Sequence, residues 1–183
     1  MTETKPWYLS KGFVGPLVTV IALILEERSL GSMREAGFII AGFGFGGIVF
    51  TLIVGWLLRT LNGQLNMIRA GGLVCAVALI SFALGDTWLL KVAAFLSVGL
   101  GFYMIHNSMQ TQATELAPAA RGAAVALHAF FFFLGHAVGP IVYGAVREAS
   151  DTVTATALAA AVIALLGFWT AWGLSRSPRP RGE

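Results

Sequence analysis

The sequence predicts an all-α membrane protein of six transmembrane helices. Composition, block length and the placing of charge carry this. Hydrophobic residues make up 57% of the chain and charged residues 11%, where a soluble domain is nearer half apolar and a quarter charged. The apolar residues fall into six blocks, each close to the ~20 residues that cross a ~30 Å hydrocarbon core. Basic residues are scattered singly between the blocks, which in a membrane protein encodes orientation.

The spans are read at 8–25, 36–58, 70–84, 88–113, 122–146 and 153–174, forming one transmembrane domain over 1–174 with a disordered cytoplasmic tail at 175–183. The first block is interrupted by Lys11, Gly12, Gly15 and Pro16. A signal peptide is its rival, but Glu26-Glu27-Arg28 follows in place of a small-x-small cleavage site. A retained span is therefore the reading taken. The second block is rich in glycine, and Gly42 and Gly46 have the G-x-x-x-G spacing that lets two helix backbones approach. Arg59–Arg69 reads as a short loop with Asn62-Gly63 as its turn. The third block closes at Gly85-Asp86. The fourth and fifth are joined by a polar hinge from Glu115 to Gly122, taken as a cytoplasmic turn.

One side of this topology receives Lys5, Lys11, Arg59, Arg69, Arg121, Arg176, Arg179 and Arg181, eight cations. The other receives Arg28, Arg34, Lys91 and Arg147, four. The richer side should be cytoplasmic, with both termini inside.

Enzyme signatures are sparse, with no G-x-S-x-G, H-E-x-x-H, P-loop or C-x-x-C. The single cysteine, Cys75, lies in an apolar block and reads as a packing residue. A net charge of +3 without a basic stripe gives no nucleic-acid partner. No carboxylate or thiolate stands at helical spacing from the histidines, so neither a metal nor a cofactor is expected.

The fourth span is the most informative. Tyr103, Asn107, Gln110 and Thr114 recur every three or four residues, with His106 one turn from Gln110. Facing lipid, this stripe would leave hydrogen-bonding groups without partners. It must face other helices or a water-filled cavity, and interhelical glue and cavity lining both satisfy that demand. In the fifth span Gly135, Gly139, Pro140 and Gly144 read as a tight, kinked helix contact. Phe130–Phe133 reads as meeting lipid and neighbouring helices. His128 and His136 are candidates for relaying protons, with a hydrogen-bonded packing role as the plainer alternative. No Asp, Glu, Lys or Arg lies deep in any block.

These residues match a known pattern. Glu115-x-x-Pro118-x-x-Arg121-Gly122 resembles a recurring loop of the major facilitator superfamily, and Gly135-x-x-x-Gly139-Pro140-x-x-x-Gly144 is similar to its Gly-Pro helix motif. Over almost its whole length the chain resembles the carboxy-terminal six-helix half of such transporters, particularly bacterial efflux-type members. Gly55-Trp56-Leu57-Leu58-Arg59 resembles the family's Gly-x-Leu-Ala-Asp-Arg motif only faintly, because its acidic residue is missing. The resemblance implies two inverted three-helix units and alternating access in a bacterial inner membrane. It also implies a small organic solute near the midplane, coupling to protons, and a second six-helix half from another copy or chain. The solute would meet Tyr103, His106, Asn107, Gln110, His128 and His136, and the polar lining with Phe102 suits an uncharged, amphipathic or cationic molecule. A truncated remnant or non-transporting assembly partner is the rival reading, and an intramembrane enzyme a more distant one.

Overall fold

Ser32 begins the first described helix with a capping box. Its side chain accepts from the Arg34 amide, and Glu35 reaches back to the Ser32 backbone N–H at 2.8 Å. The computed structural model of the chain describes residues 30–177, so the expected first span and the end of the tail lie outside the described residues. Five helices follow: α1 (Met33–Thr60), α2 (Gln64–Leu84), α3 (Trp88–Leu116), α4 (Arg121–Ala149) and α5 (Thr152–Arg176), with a 3₁₀ turn at Pro118–Ala120. All five are long and apolar enough to cross a membrane.

Each helix starts within a few residues of its apolar block, with one exception. The expected loop Arg59–Arg69 shrinks to a turn, and α2 begins at Gln64. Asn62 (φ 54°) and Gly63 (φ 109°) take the left-handed conformation there, which glycine adopts freely and asparagine tolerates. Asn66 then donates to the Leu61 carbonyl and Arg69 to Asn66 Oδ1, so the polar residues read as loop become the first turns of a helix. The expected cytoplasmic turn narrows likewise, since Glu115 still belongs to α3 and Arg121 and Gly122 open α4. Ser175 and Arg176, expected in the tail, complete α5.

α3 is the hub, packed between α1 and α2, while α5 lies along α2. Small residues make this possible. A Cβ on Gly42 would come within 2.8 Å of the Val92 carbonyl, and one on Gly46 would strike the Leu96 carbonyl. Gly99 meets the Phe43 backbone in the same way from α3. The expected close approach at Gly42 and Gly46 is therefore found, with α3 as the partner. On the other side Gly71 of α2 and Gly101 of α3 each approach the other's carbonyl, at 2.8 Å from the ideal Cβ. The aromatic residues Phe82 and Phe95 (centroids 4.9 Å apart) and the cluster of Phe50, Met67 and Met104 fill the remaining space.

α4 differs from the rest. It touches α3 and α5 lightly, and none of its residues is buried among the described residues. Tyr143 meets Thr156 at 3.0 Å and Arg147 donates to Thr152 at 3.2 Å, tying its end to α5. The contact expected at Gly135, Gly139, Pro140 and Gly144 is not made among the described residues. A Cβ on any of those three glycines would meet nothing within 4 Å, and Pro140 is exposed inside a helix assigned without a break. The repeat of small residues provides a flat surface, but no described helix lies on it.

Candidate functional site

The polar groups of α3 separate onto three faces. Gly101, Met104 and Gln112 turn toward α2. Gln112 is buried and donates to Gln64 Oε1 (2.5 Å) and Glu115 Oε2 (2.9 Å), clamping the start of α2 to the end of α3. Around that clamp Asn62, Asn66, Arg69 and Ser175 line a polar hollow of about 420 Å³. Gln112→Ala should lower stability by about 1–2 kcal/mol and raise amide exchange at residues 64–69 while leaving the Phe82–Lys91 end unchanged. Uniform exchange across α2 would sink that expectation.

Tyr103 occupies the second face. Its ring lies over Gly47 and stacks with Phe50 at 6.2 Å, so it packs α3 against α1. Asn107 and Gln110 follow on the same side, Asn107 exposed and Gln110 half-buried. The hydroxyls that follow them bond their own helix: Thr111 donates to the Asn107 carbonyl and Thr114 to the Thr111 carbonyl.

The third face brings the histidines together. His106 stacks almost parallel on Phe102 (5.3 Å, 9°) and meets Phe132 at 4.8 Å and His128 at 5.1 Å across α4. Phe132 in turn meets the His136 ring at 4.1 Å, and His136 Nδ1–H donates to the Phe132 carbonyl at 2.9 Å. Of the four phenylalanines from Phe130 to Phe133, Phe132 alone turns toward this cluster, and the other three are exposed. Behind the cluster a cavity of about 460 Å³ opens between α2, α3, α4 and α5, with His106 and His128 in its wall. A second cleft, of about 470 Å³, borders His136 and Pro140. No group of three His, Cys, Asp or Glu side chains among the described residues is placed to hold a metal ion.

The chain's membrane-crossing helices and the placing of this polar set on α3 and α4 now have a context. A family model, Major Facilitator Superfamily, matches residues 8–183. The chain belongs to the Major Facilitator Superfamily. No curated relative and no solved structure matches it. Membership makes this a multi-pass membrane transporter chain, and the match covers all five described helices. Between α3 and α4, Glu115 is engaged with Gln112, Pro118 opens the 3₁₀ turn, and Arg121 and Gly122 stand exposed at the start of α4.

Two residues escaped the sequence reading. Gln112 stands outside the helical stripe of its span, yet it bonds Gln64 of the neighbouring helix. Lys91, counted as a loop cation, is fully buried in the first turn of α3. Its Nζ donates to the Phe82 carbonyl at 2.7 Å and lies 4.5 Å from the Phe82 ring centre. Its neighbour in space is the end of α2, nine residues back, and only the sharpness of the Gly85–Thr87 turn could have signalled that.

Proposed function

We infer that this superfamily member works as one six-helix unit of an alternating-access carrier for a small organic solute. Its six helices form two inverted three-helix repeats, and it pairs with a second such unit across the open side of α4. Phe133 (68% exposed) and Ile141 (72%) support that pairing, because they put large apolar side chains on a helix with little cover. The Lys and Arg bias supports a cytoplasmic position for the Asn62–Gly63 end and both termini in a bacterial inner membrane. Removing buried Lys91 from the sparse side leaves Arg28, Arg34 and Arg147 there and strengthens the bias.

The observation that carries the reading is Asn107, an exposed amide on a membrane-crossing helix, with Gln110 one turn on. Lipid offers such a group no hydrogen bond, so a water-lined solute path is its fitting environment. The test is substrate-free. In a Cys75→Ala background, Asn107→Cys should react with a membrane-impermeant methanethiosulfonate at least tenfold faster than Leu165→Cys. Leu165 is the comparison because it is 69% exposed on α5 without any polar neighbour to suggest water. Equal rates at the two positions would overturn the assignment. As an activity arm, Asn107→Ala with Gln110→Ala should slow ethidium accumulation in DNA-loaded proteoliposomes at least tenfold.

A further inference from the structure

The polar hollow of about 420 Å³ beside the Gln64–Gln112 clamp has a chemistry that the solute path does not use. Its wall comes from the turn after α1, the start of α2 and the ends of α3 and α5. All four helices are membrane-crossing, so the hollow opens where the chain leaves the bilayer. Trp169 (67% exposed) and Trp172 (48%) stand in the last two turns of α5, just before Ser175 of the wall. Exposed tryptophans at a span end mark headgroup depth. Two charges of opposite sign line the hollow, Arg69 and Glu115. Each is bonded to a neutral amide, Arg69 to Asn66 and Glu115 to Gln112, so neither charge is neutralised by that contact. Arg69 uses one N–H on Asn66 Oδ1, and a guanidinium carries five. Beside it α2 starts behind Gly63 with no side-chain cap and no acidic residue in its first turn. That leaves unbonded N–H groups and a positive dipole end, which suit an anion. Glu115 accepts through Oε2 and stands exposed, so its carboxylate has acceptor sites left for a cation.

We propose that this hollow holds the headgroup of a phospholipid bearing a primary amine, with its phosphate on Arg69 and the start of α2 and its ammonium on Glu115. A phosphoethanolamine group carries both charges on one short link, matching a wall that offers one charge of each sign. Phosphate is a ligand that a guanidinium and a helix N-terminus both take, through charge-assisted hydrogen bonds. The ammonium donates to the Glu115 carboxylate. A choline headgroup has the same phosphate, but its positive charge carries no N–H and gives Glu115 no hydrogen bond. A phosphoglycerol headgroup satisfies Arg69 and brings a net negative charge toward Glu115. A lipid also suits what lies deeper. Ile68 and Met109, one turn further into the bilayer than Leu65 and Gln112, line the apolar cavity between α2, α3, α4 and α5. Apolar surface for an acyl chain therefore follows the polar hollow along the same helices.

The probes that separate these headgroups are phosphatidylethanolamine, phosphatidylcholine and phosphatidylglycerol with identical acyl chains. The full chain in detergent is given an equimolar mixture of the three, and the lipid it retains is measured by native mass spectrometry. Phosphatidylethanolamine should be retained at least fivefold over either of the others. Glu115→Gln keeps the shape and loses the charge, and should bring phosphatidylethanolamine and phosphatidylcholine within twofold. Arg69→Gln should lower retention of both alike, because they share the phosphate. Equal retention of these two lipids by the wild-type chain overturns the proposal, as does a preference for phosphatidylglycerol or a preference that survives Glu115→Gln. Soluble phosphoethanolamine is tested separately by equilibrium dialysis. If it binds saturably while the wild-type chain shows no lipid preference, the hollow takes a free ligand and the headgroup assignment is wrong. The wild-type comparison decides even where a variant does not fold. The proposal needs the membrane-crossing helices and not the solute path, and its readout is lipid retention, so its failure is distinct from failure of the carrier reading.

Discussion

Gly46→Val should pull α1 off α3. The Cβ of even an alanine would overlap the Leu96 carbonyl, and the atoms in the way belong to backbone, which cannot rotate aside as a side chain would. Overpacking a well-filled interface costs ~1–3 kcal/mol and more where backbone must move, so a loss at or above ~3 kcal/mol is expected. Gly44 supplies the control. It stands on the same helix with open space around its ideal Cβ, and alanine there should be neutral or stabilising by up to ~1 kcal/mol through helix propensity. Thermal unfolding followed by circular dichroism in detergent compares the two. If Gly46→Val and Gly44→Ala melt together, the packing described for α1 and α3 is wrong.

Lys91→Met should cost about 2 kcal/mol, the contribution of a hydrogen bond from a charged donor to a buried carbonyl. The reason lies in helix ends. Phe82 is within the last four residues of α2, whose carbonyls have no partner inside the helix and carry its negative dipole end. In a membrane those carbonyls cannot turn to water without leaving the bilayer. Lys91 answers from the next helix with a positive donor, and its four-carbon stem fills the space on the way. Lys91→Ala should therefore cost more, about 3–4 kcal/mol, by adding a cavity to the lost bond. Lys91→Glu should be worst, since it sets a negative charge against a negative helix end. Unfolding curves in which Lys91→Met matches the wild type would remove Lys91 from this role.

How much of this could be read without coordinates depends on the kind of residue. The apolar blocks anticipated every described helix, because lipid forces each long apolar stretch to satisfy its backbone internally whatever its glycine content. Asn62-Gly63 announced its turn, since both residues tolerate positive φ and few others do. The Gly42 and Gly46 spacing announced a close helix contact. The same logic applied to Gly135, Gly139 and Gly144 found no partner among the described residues, although Gly135 and Gly139 have the same four-residue spacing as Gly42 and Gly46.

The site divides the same way. Spacing puts Tyr103, Asn107 and Gln110 on one face of α3 with His106 beside them. Periodicity relates residues within one helix; it carries no information on what lies opposite. So Tyr103 proved to lie on Gly47 of α1, Gln112 to bond Gln64 of α2, and His106 to meet His128 and Phe132 of α4. Lys91 illustrates the limit most plainly. In sequence it is a cation at the margin of an apolar block, which membrane topology assigns to water. In the fold it is buried, because the tight Gly85–Thr87 turn folds α3 back along α2 and brings an unbonded helix end within its reach. Which segments cross the bilayer follows from the solvent alone, whereas the partner of each polar group depends on how five described helices pack.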